Sequence, residues 1–223
     1  MNSNFLLNTF NVSLFFQIII GIFSIDALFI KLKDNNKILY DTFLIEFIVQ
    51  IIEASFYIYI ISKFKKNKNI TNIRYIDWAI TTPIMLITTI LFMEYQNQIN
   101  NNELNTKEII DKNKKEIFEI LIYNYLMLLF GFLAENNSSY KNYYIFIGFV
   151  FFILSFFKLW EKFANKNNLN KKLFTFLVLI WGLYGVSAYF PSIAKNISYN
   201  ILDVISKNFY GLFIFYKIKT LKN

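Results

Sequence analysis

Seven stretches of mostly apolar residues constrain this chain more than anything else in it. They run over 5–31, 39–62, 72–94, 117–134, 142–160, 172–192 and 197–217. A ~30 Å hydrocarbon core takes about 20 residues of helix to cross. Inside lipid a backbone satisfies its own N–H and C=O groups only as a helix or a closed barrel. The blocks are continuous rather than alternating, so the fold class expected is all-α: a seven-transmembrane-helix bundle, multi-pass in a lipid bilayer, forming a single domain over 1–223. Connections are short except 95–116, a polar loop with no core-forming pattern. The first block is too long for a cleaved signal peptide and has no small-residue cleavage site, so it reads as a retained helix.

Hydrophobic residues make up 56% of the chain, and its net charge is +8. Such a charge can mark a nucleic-acid binder, but these lysines lie between apolar blocks instead of on one face, so no nucleic-acid partner is expected. The absence of cysteine and histidine excludes disulfides and thiolate metal sites and removes the usual proton shuttle. No metal site and no enzyme activity are expected. Basic residues set the orientation. With the N-terminus outside, Lys31, Lys33, Lys37, Lys107, Lys112, Lys114, Lys115, Lys158, Lys162, Lys166, Lys171, Lys172, Lys217, Lys219 and Lys222 lie on the cytoplasmic side. Lys63, Lys65, Lys66, Lys68, Lys141 and Lys195 lie outside, a bias of 15 to 6 for an outer N-terminus and a cytoplasmic C-terminus.

Ionisable groups inside a span are costly, and each is a functional candidate. They are Asp26, Glu46, Glu53, Arg74, Asp77, Asp203 and Lys207. Lys207 sits near the middle of the seventh block with Asp203 four residues earlier, on the same helical face. One reading is a buried ion pair that holds the bundle. The other is an amine that condenses with an aldehyde, its Schiff base balanced by a carboxylate. In the third block Arg74, Asp77, Thr81, Met85 and Thr88 form one stripe, and Arg74 is the only arginine beside 22 lysines.

The run Arg74-Tyr75-Ile76-Asp77-Trp78-Ala79-Ile80-Thr81-Thr82-Pro83, together with Asp203 and Lys207, resembles the third and seventh helices of the microbial rhodopsins. Trp181 and Tyr184 resemble the aromatic residues of their sixth helix, although Gly185 stands where a proline is usual. The resemblance covers all seven blocks in order. It implies all-trans retinal bound covalently to Lys207 as a protonated Schiff base, with Asp77 and Asp203 as counter-ions and Asp77 as proton acceptor. Arg74 would balance these carboxylates from the outer side, and Trp78, Thr82, Met85, Trp181 and Tyr184 would line the polyene. Apolar Met85 implies green absorption.

Outward proton pumps of the family place a carboxylate eleven residues after the acceptor, where this chain has Thr88, and PSIAKNISYN between the last two blocks has no carboxylate. In the second block Glu46, Gln50, Glu53 and Tyr57 form a polar stripe at offsets 0, 4, 7 and 11. The stripe reads as a packed amphipathic face or as a hydrated path that attracts cations. Channelrhodopsins are similar in having glutamates seven apart on the second helix and an asparagine after the retinal lysine, here Glu46, Glu53 and Asn208. The resemblance implies a central gate that includes Ser13, with Gln17 one turn on. The chain also looks like the first group of rhodopsins from large algal viruses, in which case it would sit in a host-cell membrane. A light-gated channel for monovalent cations is favoured. The alternatives are a light-driven outward proton pump with Glu46 as a displaced proton donor, and a sensory photoreceptor, for which the short tail KIKTLKN offers no signalling domain. Such rhodopsins often form homo-oligomers, but no residue here selects one. Asp26 is expected to pair with Lys31 or Lys33. Asn136 and Asn137, before Ser138 and Ser139, match a glycosylation sequon on the outer side, a pattern that often arises by chance.

Overall fold

Polar and apolar surfaces are inverted relative to a protein built for water. Glu46 and Glu53 are fully buried, whereas Phe23 and Phe146 are 65% and 66% exposed. Apolar faces turned outward suit a lipid solvent, while Glu46, Glu53, Arg74, Asp77, Asp203 and Lys207 are buried inside the bundle.

The computed structural model describes residues 3–33, 36–64, 70–97 and 105–222. Lys65, Lys66 and Lys68, and residues 98–104 of the long loop, lie outside the described residues. Among the described residues there is no strand. The helices are α1 (Ser3–Ser24), α2 (Lys37–Lys63), α3 (Ile70–Asn97), α4 (Thr106–Lys112), α5 (Lys114–Asn136), α6 (Lys141–Lys162), α7 (Asn168–Ser187), α8 (Ser192–Asp203) and α9 (Phe209–Lys222). A π-turn over Val204–Asn208 joins α8 to α9, so the two continue as one crossing. With α1, α2, α3, α5, α6 and α7, each long and apolar enough to span a membrane, it completes a seven-helix bundle.

Several boundaries differ from expectation. The first block leaves the α-helix at Ser24 and continues as a 3₁₀ turn, Ile25–Phe29. The seventh crossing begins at Ser192, so PSIAKNISYN is mostly helix. Lys195, expected in a loop, is 5% exposed on α8 and ion-paired to Glu135 at 2.5 Å. Asp26 pairs with Lys219 of α9, not with Lys31 or Lys33, because the 3₁₀ turn aims it across to the end of the last helix.

The loop expected over 95–116 holds α4. A capping box starts it: the Asn105 side chain accepts from the Glu108 backbone N–H, and the Glu108 carboxylate accepts from that of Asn105. Thr106 Oγ1 donates to Asp41 Oδ2 at 2.6 Å, tying α4 to α2. Its single apolar anchor, Ile109, is 1% exposed in the main core. One buried residue in a seven-residue helix leaves no periodic signal, which is why the segment reads as a plain loop.

In α3, Pro83 removes one backbone donor. The hydroxyls of Thr81 and Thr82 bond back to the carbonyls of Asp77 and Trp78 at 3.0 and 2.8 Å, which occupies both side chains within the helix. Asn124 of α5 donates to Thr82 Oγ1 at 2.9 Å and so joins α5 to this proline turn. α5 and α6 pack along a ladder of rings, with Phe130 and Phe151 stacked at 5.7 Å.

Replacing Ile109 with Ala is expected to cost about 2–4 kcal/mol of stability, read as a lower thermal midpoint in detergent. Ile110→Ala, on the exposed side, should leave the midpoint unchanged.

Candidate functional site

Three helices bring their charges to one level of the bundle. Lys207 Nζ, in the π-turn, donates to Asp77 Oδ2 of α3 at 2.6 Å. Glu53 Oε1 of α2 is 3.7 Å away and Asp203 Oδ1 is 3.9 Å away. Lys207 is 2% exposed, so these charges interact strongly, away from bulk solvent. The resemblance implied that Lys207, Asp77 and Asp203 share one site, and the three side chains lie together. Asp77, on another helix, is the nearest carboxylate, and the sequence neighbour Asp203 is committed elsewhere.

Asp203 accepts from Tyr57 Oη, Arg74 Nη1 and Tyr184 Oη, each at 2.8 Å, and from Trp78 Nε1 at 3.4 Å. Arg74 is 1% exposed and uses its whole fork. Besides Asp203 it donates to Asn196 Oδ1 at 3.1 Å, to Tyr57 Oη at 3.3 Å and to Asn200 Oδ1. Its guanidinium carbon also lies 4.9 Å from the centre of the Phe10 ring. A lysine could not make this set of contacts, which is the physical reason for one arginine in a lysine-rich chain.

A cavity runs from Lys207 between α3, α5, α6 and α7, and Trp78, Thr82, Met85, Trp181 and Tyr184 all line it. Phe149, Phe152 and Tyr199 complete its aromatic walls. Trp78 packs edge-on against Tyr184 and Tyr199 at 5.3 and 4.9 Å. A side chain at Gly185 would run into the Phe149 ring, so the glycine allows α6 and α7 to close on the cavity there. A flat apolar ligand fits such walls, and the one amine at the end of the cavity suits an aldehyde. These residues fit retinal.

The second-block stripe faces inward as a unit: Glu46, Gln50, Glu53 and Tyr57 are all at most 4% exposed. Tyr57 belongs to the Arg74–Asp203 network. Glu46 accepts from Thr88 Oγ1, so the two positions in which donor and threonine are exchanged do touch. Asn208 is buried with neither side-chain polar atom bonded, and both Glu53 oxygens and both Gln17 amide atoms are likewise without a hydrogen-bond partner. Ser13 donates to the Asn200 carbonyl at 3.1 Å and makes no hydrogen bond to Glu53 or Asn208. The expected serine–glutamate–asparagine gate is therefore not closed by direct bonds. Helix α8 binds the serine instead.

Asn196, Tyr199 and Asn200 also belong to the site, and their signal was present: with Asp203 they recur at offsets 0, 3, 4 and 7. They lay in a segment read partly as a loop. Glu135 carried no such signal. It supplies a carboxylate beside Lys195 at the end of the bundle where PSIAKNISYN has none.

A family model described as bacteriorhodopsin-like protein matches residues 8–221. No curated protein matches the sequence. A viral rhodopsin, OLPVRII, superposes with a TM-score of 0.82 at 29% identity, covering 97% of this chain and 99% of that one. A blue light-absorbing proteorhodopsin from Med12 gives 0.75 at 17%, over 97% and 98% of the two chains. A light-driven proton pump from Leptosphaeria maculans gives 0.72 at 17%, over 99% and 97%. At 17% identity these last two establish the fold alone.

Arg74→Gln is expected to destabilise the protein by roughly 3–5 kcal/mol, since it strands buried Asp203. Denaturant unfolding in detergent measures this, and Asn196→Ala should lose about 1 kcal/mol.

Proposed function

Because the chain belongs to the bacteriorhodopsin-like family, whose rhodopsins hold retinal as a Schiff base on a lysine, we propose that it is a light-gated cation channel in which Lys207 is that lysine. The chain is a microbial rhodopsin, a multi-pass integral membrane protein of a light-driven ion-transport family. The channel reading, the residue roles and an outer N-terminus are the proposal. So is membership of the first viral group, and the 29% identity to a viral rhodopsin supports a viral kinship.

Retinal supplies light absorption and a light-driven change of shape at the Lys207 nitrogen. The residues around that nitrogen determine how the change is used. Asp77, at 2.6 Å, is placed to take a proton from it. Asp203 is held by four donors and serves as a fixed negative wall. Arg74 fixes that wall and fills the space between it and Phe10 of α1.

The observation that carries the channel reading is the set of buried polar atoms left unbonded along α2 and its neighbours: Gln17, Glu46 Oε2, Gln50 Oε1, Glu53 and Asn208. Leaving such a group dry and unpaired costs about 1–3 kcal/mol, so a dry seam is a poor account of five of them. Water and a passing cation satisfy them. The two cations Arg74 and Lys207 face three carboxylates, Asp77, Asp203 and Glu53. Glu53, with no hydrogen-bond donor, is the one whose charge a mobile cation can balance.

A second reading rests on the Thr88–Glu46 hydrogen bond. That pair stands where a pump needs a proton donor, and it supports an outward proton pump with Glu46 in that role.

With retinal added, Lys207→Ala should be colourless, and a normal visible band would remove the retinal assignment. Under voltage clamp the wild-type photocurrent should reverse sign with the cation gradient; a current that stays outward at every voltage would establish the pump instead. Glu53→Gln should change the conductance or the cation selectivity, and unchanged currents would reduce the stripe to packing.

A further inference from the structure

Gln50 has no part in the retinal site, yet it is closely held on α2. It is 4% exposed, and its Oε1 has no hydrogen-bond partner. Its amide nitrogen lies against the bare backbone of Gly211 in α9, so close that a β-carbon on Gly211 would overlap it. The glycine is the notch that seats the amide. Along α2, Gln50 lies about 6 Å from Glu46 and about 4.5 Å from Glu53. Gly211 follows Lys207 by one helical turn, about 6 Å along the crossing. Gln50 therefore separates two groups of unbonded polar atoms. Glu53 and Asn208 lie on its Lys207 side, and Glu46 Oε2, whose partner oxygen accepts from Thr88, lies on the other.

We propose that Gln50, seated in the Gly211 notch, is the constriction that sets which cations cross between Glu53 and Glu46. This rests on the channel reading. An amide suits the position. Its carbonyl oxygen offers a neutral ligand to a partly dehydrated cation, and its bulk limits the size of what passes. The seat belongs to the crossing that carries Lys207, so a movement that starts at that lysine and reaches α9 alters the fit of Gln50 directly. The unbonded Oε1 is what an ion ligand looks like when its other contacts are made elsewhere.

Three variants test the constriction: Gln50→Ala, Gly211→Ala and the two combined. In voltage clamp, Gln50→Ala should raise the permeability of methylammonium relative to sodium several-fold, a ratio independent of expression level. Gly211→Ala should displace the amide into the path and reduce the photocurrent per coloured protein by roughly tenfold. Adding Gln50→Ala should restore that current, because the new methyl group then has nothing to displace. An unchanged permeability ratio in Gln50→Ala, or a Gly211→Ala defect that persists in the double variant, would overturn the proposal.

A light-independent measurement separates this result from the fate of the channel reading. The chain has no cysteine, so Glu53→Cys introduces a single thiol. A membrane-impermeant cationic thiol reagent, applied before retinal is added and from the face where α2 begins, should label it slowly. Gln50→Ala should speed that labelling by roughly tenfold. Equal rates with and without Gln50 would overturn the constriction, even if the wild-type photocurrent reverses as a channel's should. A faster rate alongside a current that never reverses would leave Gln50 as a steric barrier in the bundle and overturn its role in selecting cations.

Discussion

The bundle is organised by one buried group of charges in which Lys207 and Arg74 meet Asp77, Asp203 and Glu53. In a low-dielectric interior each charge is tolerable only beside its partners, and removing one exposes the others. The group therefore holds α2, α3 and the last crossing at a common level. It also explains the unequal treatment of the carboxylates. Asp203 is saturated by donors and structural in character. Asp77 is engaged by Lys207 alone, and Glu53 is close to a cation without a hydrogen bond. The same chemical group stands in three settings: ringed by donors, engaged by one amine, and beside a cation without a hydrogen bond.

The outward faces of the helices complement this interior. Most large exposed side chains are Phe, Ile, Leu, Tyr and Val, so association of the helices cannot rest on hiding apolar surface from lipid. Specific contacts replace it. The Asn124–Thr82 bond, the Lys195–Glu135 pair and the aromatic ladder between α5 and α6 join helices that lipid alone would not hold together.

How much of this was legible in the sequence depends on the kind of signal. The seven crossings and the fold class came from length and apolarity, which are local. Helical periodicity put Arg74 with Asp77 on one face and Asp203 with Lys207 on another, and the resemblance to the microbial rhodopsins joined the two faces into one site. Partnerships across helices were not legible. Asp26 finds Lys219, and Lys195 finds Glu135, through packing that no period records. The same holds for Gln50 against Gly211: a glycine in an apolar run says nothing about which side chain fills the space it leaves. Helix α4 was missed for another reason, since a capping box and one buried isoleucine are too short a pattern to stand out in a polar stretch.

The π-turn at Val204–Asn208 has a consequence for the rest of the last crossing. One residue more than an α-turn advances everything after it by about 100° around the helix axis. The polar edge of α8, with Asn196, Asn200 and Asp203, and the edge of α9 that carries Gly211 are thus set out of phase by a single inserted position. Were that turn to relax to ordinary α-geometry, α9 would have to rotate as a rod. Gly211 would swing away from α2, while Asn196 and Asn200 kept their hold on Arg74. The crossing behaves as two shafts joined by a coupling, with Lys207 built into the coupling itself.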